Sequence, residues 1–285
     1  MLRPLLLLFC LFYGSITYSQ SSLDTLSTTA EIYRVNSWIS AGITAVGLAS
    51  NSYRFRQLQR KPELTQTEID QLDRSAVPGF DRIGLRQHLD QVESATRNSN
   101  IILWTSTALP LGLFLDRRIR QDWFDISLLY LQTQAIASNF YAWSPLGPTV
   151  FDRLRPRAYY DELPLAEKES GGTRNSFFSG HASSTAVGSF FFAKVLTDYH
   201  PEWSTGRKAL VYSLASVPPI LVSIERVRAL RHWPSDTIVG SLVGAGIGLL
   251  IPHLHQRWAA KHRSRLLVNA NYGAAGGGLG LQLQF

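Results

Sequence analysis

The chain is short of cysteine, of charge and of long apolar runs. One Cys in 285 residues excludes a disulfide framework and a cysteine-based zinc site. Charged residues make up 17%, below the ~25% of an average soluble domain, which argues against disorder, a coiled coil and a nucleic-acid tail. Most apolar stretches fall short of the ~20 residues that a helix needs to span a bilayer, and the mean hydropathy of −0.03 is low for a chain with six spans. There is no internal repeat. What is present in quantity is apolar side chain, 45%, enough at this length for a sizeable core, and arginine. The formal net charge is +7, and 23 of the 28 basic residues are Arg. A guanidinium presents a planar fork to phosphate and carboxylate oxygens. A basic balance also suits nucleic acid or anionic lipid, but an Arg-rich chain with little other charge points first to phosphate.

Residues 1–19 read as an export signal: Arg3, an apolar run of eight at 5–12, and the small Thr17 and Ser19 before a cut at Gln20. An N-terminal anchor is the alternative, with a run too short to span. Cys10 lies inside the signal, so the mature chain is expected to have no Cys and to work in the bacterial cell envelope, on its periplasmic side and at the membrane. Residues 20–98 hold a first helix and a long polar insertion broken by Pro62, Pro78 and Gly79. Apolar stretches at 37–50, 101–115, 123–143, 182–199, 208–224 and 236–251 predict six helices, with Pro218 and Pro219 as a kink in the fifth. In the last, Gly240, Gly244 and Gly248 share one face and permit close helix contact. The fold class expected is all-α, a six-helix bundle, with a catalytic helical domain at 99–262. Residues 263–285 alternate apolar and small side chains around a Gly cluster and predict a small β-hairpin.

Three clusters carry chemistry. Arg153, Arg155 and Arg157 alternate around the stiff Pro156, which suggests several forks on one side of an extended segment; a solvated basic loop is the bland alternative. Ser176-Phe-Phe-Ser179-Gly180-His181 runs into a helix start, where free N–H groups attract anions, although Ser179 could be only a cap. Arg226 precedes His232 by six residues, and Asp236 follows by four. Around a helix start that carboxylate can reach one ring nitrogen of His232, leaving the other as a nucleophile. Together the clusters supply guanidiniums, backbone amides, two His and one orienting Asp, the kit for phosphoryl transfer. A zinc site from His181, His232 and Asp236 would set a dication among arginines that repel it, so no metal and no cofactor is expected.

These clusters resemble, in order and spacing, the three signature motifs of the type 2 phosphatidic acid phosphatase superfamily, which also includes bacterial acid phosphatases and vanadium haloperoxidases. The resemblance covers roughly residues 99–252. It implies that His232 attacks phosphorus, Asp236 orients His232, and His181 protonates the leaving alcohol. It further implies that Arg155, Arg226, Ser179 and Gly180 hold the phosphoryl oxygens. Three positions depart from the pattern. Pro148 stands where the first motif usually has Lys, a contact that Arg153, Arg157 or Lys168 could replace. Phe178 stands where Pro is usual, and Glu225 where Ser is usual. The expected activity is a metal-independent phosphatase for a phosphorylated lipid or small phosphate ester. The alternatives are a vanadium haloperoxidase and a non-catalytic envelope protein whose tail docks a partner.

Overall fold

A computed structural model describes residues 32–263, 267–273 and 276–282. The expected export segment, with Cys10, lies outside the described residues. The apolar stretches fold as α1 (Ser37–Leu58), α2 (Val92–Ala108), α3 (Trp123–Trp143), α4 (Gly180–Asp198), α5 (Thr205–Arg228) and α6 (Pro234–Arg263). Asn36, Ser179 and Ser204 cap α1, α4 and α5, each side-chain oxygen accepting a backbone N–H three residues on. Pro218 and Pro219 both lie inside α5.

Two helices outrun their sequence patterns. The helix α2 begins in the polar stretch and crosses residue 99, where the catalytic domain was expected to start. Glu93, Arg97 and Asn98 face out while Ala95, Ser99 and Ser106 are buried, so small residues rather than large apolar ones mark its inner face. The helix α6 continues past residue 251, through Pro252. Its polar second half is tied down by side chains: Lys194 Nζ donates to Gln256 Oε1 (3.0 Å), and His255 Nδ1 donates to the Arg34 carbonyl (2.8 Å).

The helix α3 runs antiparallel to α4. Tyr199 Oη donates to Asp122 Oδ2 (2.5 Å) at one end, and the Tyr141 ring lies over Gly180 at the other. The helix α6 runs parallel to α4 and almost touches it. A Cβ on Gly240 would lie 2.4 Å from the Ser179 carbonyl oxygen, and one on Gly244 2.1 Å from that of Ser183. Only glycine allows this approach, which fixes the start of α4 against the start of α6. The apolar core gathers at the far end of the pair, where Leu113, Ile126, Leu129, Phe191 and Val195 are all within 1% of full burial. Each such side chain contributes about 1.5–3 kcal/mol on leaving water. That end anchors the bundle and leaves the other for chemistry.

The polar insertion is not a free loop. Thr65 and Glu68 form a capping box before Gln66–Asp70, and three further single turns follow at Arg74–Ala76, Asp81–Leu85 and Leu89–Gln91. Arg174 Nη2 donates to Glu68 Oε1 (2.7 Å), Arg74 Nη1 to the Tyr159 carbonyl (2.8 Å), and Tyr160 Oη to the Gly84 carbonyl (3.0 Å). The insertion thus clasps the loop that follows α3. Towards the C-terminus, Leu267–Gly273 and Gly276–Gln282 pair as antiparallel strands, with Gly273 opposite Gly276.

Candidate active site

The ends of α3 and α5 meet the start of α4 around a cavity of about 520 Å³, whose walls include Tyr141, Arg155, Gly180, His181, Arg226 and His232. Local chemistry explains how the last two face it together. The helix α5 ends at Arg228, and two residues on Leu230 has a φ of 55° in the left-handed region, a conformation that costs a non-glycine residue about 1–2 kcal/mol. The chain reverses there, and the N–H groups of Arg231 (3.1 Å) and His232 (3.3 Å) both donate to the Arg226 carbonyl. This helix-ending turn locks His232 beside Arg226. The Arg155 guanidinium donates to the Asn175 carbonyl from Nε (3.3 Å) and Nη2 (3.2 Å), and Arg226 Nη1 donates to Ser99 Oγ (3.3 Å). Arg226 Nε is buried with no partner. Neither cation forms an ion pair among the described residues.

Behind His232 the arrangement is different. His232 Nδ1 donates to the Ser176 carbonyl (2.6 Å), while the Asp236 carboxylate stands 3.9 Å from that nitrogen. The direct His–Asp bond expected from the four-residue spacing is therefore absent. His232 precedes the helix, which starts at Pro234, and Asp236 turns back to accept the Trp233 N–H (2.8 Å) and the Ser176 hydroxyl (2.5 Å). The carboxylate holds Ser176, and Ser176 holds the ring. Arg153 was expected to bind phosphate, yet its guanidinium joins this rear wall. It donates to Asp236 Oδ1, to Asp81 Oδ2 (2.7 Å) and to Ser235 Oγ (2.9 Å). Two carboxylates draw the arm away from the cavity. Asp81 also accepts the Ser235 N–H (3.0 Å) and hydroxyl (2.8 Å). It comes from the polar insertion, and nothing in its sequence surroundings marked it.

Burial first, and then the Arg226 and Arg155 guanidiniums, push His232 well below the usual imidazole range. The same causes bring His181 down to about 3, with Arg231 adding to them. Both rings therefore favour the neutral form. As Nδ1 of His232 carries the proton given to Ser176, its Nε2 keeps a lone pair. His181 Nε2 donates to Asn100 Oδ1 (3.0 Å). Burial and the neighbouring Arg231 lower Arg155 to about 10, so it stays charged at neutral pH. The arrangement offers a nucleophilic nitrogen, a second imidazole and two desolvated cations in one cavity.

Residues 126–260 match the family model of the PAP2 superfamily. The match takes in just under half of the chain. All three sequence clusters lie within it, whereas Asp81, Ser99 and Asn100, which touch Arg153, Arg226 and His181, come from before it. The search of solved structures returns a transmembrane PAP2-type phosphatidylglycerolphosphate phosphatase from Bacillus subtilis. Its identity is 21% and its TM-score 0.41, over 78% of this chain and 96% of that chain. No curated protein matches.

The remaining candidates divide clearly. Ser179 is buried at the α4 cap, its Oγ accepting the Ala182 N–H (3.3 Å). Pro148 is buried and supplies no cation. Lys168 is buried but does not line the cavity. Glu225 pairs with Arg228 (3.4 Å), and Trp233 Nε1 donates to the Leu154 carbonyl (2.7 Å), so both serve local packing. Tyr141 and Asn100 had no signal in the sequence. Their roles depend on where α3 and α2 end up relative to α4.

Proposed function

We propose that the protein is a phosphatase of lipid-linked phosphate monoesters or diphosphates, acting through a phosphohistidine on His232, with 99–262 as its catalytic domain. One observation carries this reading: two imidazoles, His181 and His232, share a cavity with Arg155, Arg226 and the amide-bearing start of α4. Phosphoryl transfer asks a protein chiefly for in-line positioning and for charge neutralisation at the equatorial oxygens. In this mechanism His232 Nε2 attacks phosphorus and the bond to the leaving oxygen breaks. Arg155, Arg226, the Gly180 N–H and the Ser179 hydroxyl bind the three phosphoryl oxygens. The substrate's negative charge offsets the guanidiniums that depress His181, so its proton affinity rises on binding and it protonates the leaving oxygen. Water then attacks the phosphohistidine, His181 takes the water's proton, and phosphate leaves. The guanidiniums supply the positive charge, and no step needs a metal.

A lipid substrate is supported by the helix surfaces. Thr205–Arg228 and Pro234–Lys261 are long and apolar enough to cross a membrane. They expose Leu210, Leu214, Ile220, Leu221, Leu242 and Leu250, an apolar surface of the kind that meets lipid. Export to the envelope rests on the signal-like residues 1–19. The test is phosphate release from phosphatidic acid, phosphatidylglycerol phosphate and an isoprenyl diphosphate, by protein in detergent with a chelator present. We expect release, a trapped acid-labile phosphoprotein, and a loss of at least about 10³-fold in His232→Ala. Release that survives the substitution, or that needs an added divalent ion, would overturn the reading.

A further inference from the structure

The side chains of Arg157 and Arg231 make none of the hydrogen bonds described above. They face a second, larger cavity of about 870 Å³, whose other walls include Asn100, Trp104, Ile101 and Val92. Arg157 is 8% exposed. The Nε atoms of Arg157 and Arg231 are both buried without a partner, and neither guanidinium forms an ion pair among the described residues. Their backbones are pinned: Arg157 N–H donates to the Leu230 carbonyl (3.4 Å), and Arg231 N–H to that of Arg226. The two cations are thus held near each other: burial and then Arg231 bring Arg157 to about 10, and burial lowers Arg231. The carboxylates on this wall, Glu93 and Glu167, are exposed and bond to neither; Arg97, also exposed, adds a third positive charge. Only Glu167 offsets the two cations, and from a distance; desolvated guanidiniums with no bonded counter-ion are unfavourable, and an anionic ligand in contact would relieve them.

The position of this cavity says which part of a substrate would enter it. Trp104 lines both cavities, and Asn100, which lines the second, accepts the hydrogen bond from His181. The second cavity is therefore next to the first, with Asn100 between it and the His181 ring. We propose that Arg157 and Arg231 form a second anion site, which takes a phosphate borne by the leaving group. This rests on the phosphatase reading and narrows it to substrates whose leaving group is itself anionic. That phosphate is bonded directly to the leaving oxygen in a diphosphate, and lies one linker away in a phosphodiester such as phosphatidylglycerol phosphate. The leaving group of phosphatidic acid has no such charge.

Two measurements test this in the full chain. The first is binding of methylenediphosphonate and of methylphosphonate by calorimetry, which needs no turnover. Wild type should bind the diphosphonate at least about 10-fold more tightly, the worth of one charge-assisted contact. In Arg157→Gln/Arg231→Gln that preference should vanish, while methylphosphonate affinity stays within about 3-fold. Retained methylphosphonate binding also reports that the variant is folded, and Arg231→Gln alone, at the less buried position, should lose part of the preference. Equal affinity for the two ligands in wild type would overturn the second site even if the protein proves to be a phosphatase. The second measurement compares kcat/KM on a farnesyl diphosphate, a farnesyl monophosphate, phosphatidylglycerol phosphate and phosphatidic acid. The double variant should lose at least 10-fold on the diphosphate and little on the two substrates with uncharged leaving groups. A matching loss on phosphatidylglycerol phosphate would extend the site to phosphodiesters, and none would confine it to diphosphates. Loss on all four alike, or on none, would overturn the proposal. Absence of turnover on every substrate, with the diphosphonate preference intact, would count against the phosphatase reading and leave the anion site standing.

Discussion

Arg153 and Arg155 are two residues apart on one loop, yet they serve opposite walls of the site. Arg153 lies among Asp81, Asp236 and Ser235, where its charge is matched by two carboxylates. Arg155 faces the cavity with a backbone carbonyl as its hydrogen-bond partner, as do Arg226 with a serine hydroxyl and, next door, Arg157 and Arg231 with none. The rear wall is electrostatically complete and holds His232 by way of Ser176. The front wall is charged and incomplete. A buried charge that already has its counter-ion contributes to the fold. One that lacks it costs stability and is free to bind an anion from outside.

The largest effect expected from this contrast is at the rear. Asp236→Ala leaves Arg153 half-partnered and frees Ser176, so it should destabilise the fold by about 3–5 kcal/mol, roughly 10 °C in thermal midpoint, and impair activity as well. A midpoint unchanged from wild type would remove the distinction between the walls. At the front, Arg155→Met should cut phosphate release by about 10²-fold, or about 2.7 kcal/mol. Its melting temperature should hold or rise, because a desolvated cation has gone. A fall in melting temperature as large as that of Asp236→Ala would break the comparison from the other side.

The smallest effect is in pH. His232 is buried and its folded proton affinity lies well below the unfolded value near 6.5. The unfolded chain therefore binds the extra proton first as pH falls. Stability should be unaffected above about pH 6.5 and decline below it, by up to about 1.4 kcal/mol per pH unit from this ring. Thermal unfolding between pH 7 and pH 5 should be less steep in His232→Gln by about that amount. Equal slopes would mean that burial and the guanidiniums do not lower the ring's proton affinity as described.

Much of this was legible in the residues. Apolar stretches marked the long helices, because runs of that length and composition must leave water. The Gly240 and Gly244 spacing signalled a close contact, since an absent side chain is visible in any sequence. The third motif brought Arg226 and His232 together through a local turn, and the second put Gly180 and His181 at a helix start. These are short-range consequences of spacing. What failed were inferences about where long side chains end. Alternation on an extended segment suggested that Arg153, Arg155 and Arg157 would share one side. Instead Pro156 opens a turn over Pro156–Tyr159, and the two carboxylates at the rear pull Arg153 away. The His232–Asp236 spacing suggested a direct bond, but the helix begins between them and Asp236 caps its start.

By itself, then, the sequence determined the helical class, the order of the three motifs, and the placing of His181 at a helix start and of His232 beside Arg226, because caps and turns act within a few residues. Tertiary structure decided which arginine meets a carboxylate and which is left for a ligand. It brought Asp81 from the insertion to the rear wall, and Asn100 and Tyr141 to the front. A guanidinium sits at the end of a long, freely rotating arm, and its destination is set by charges that arrive from elsewhere in the chain.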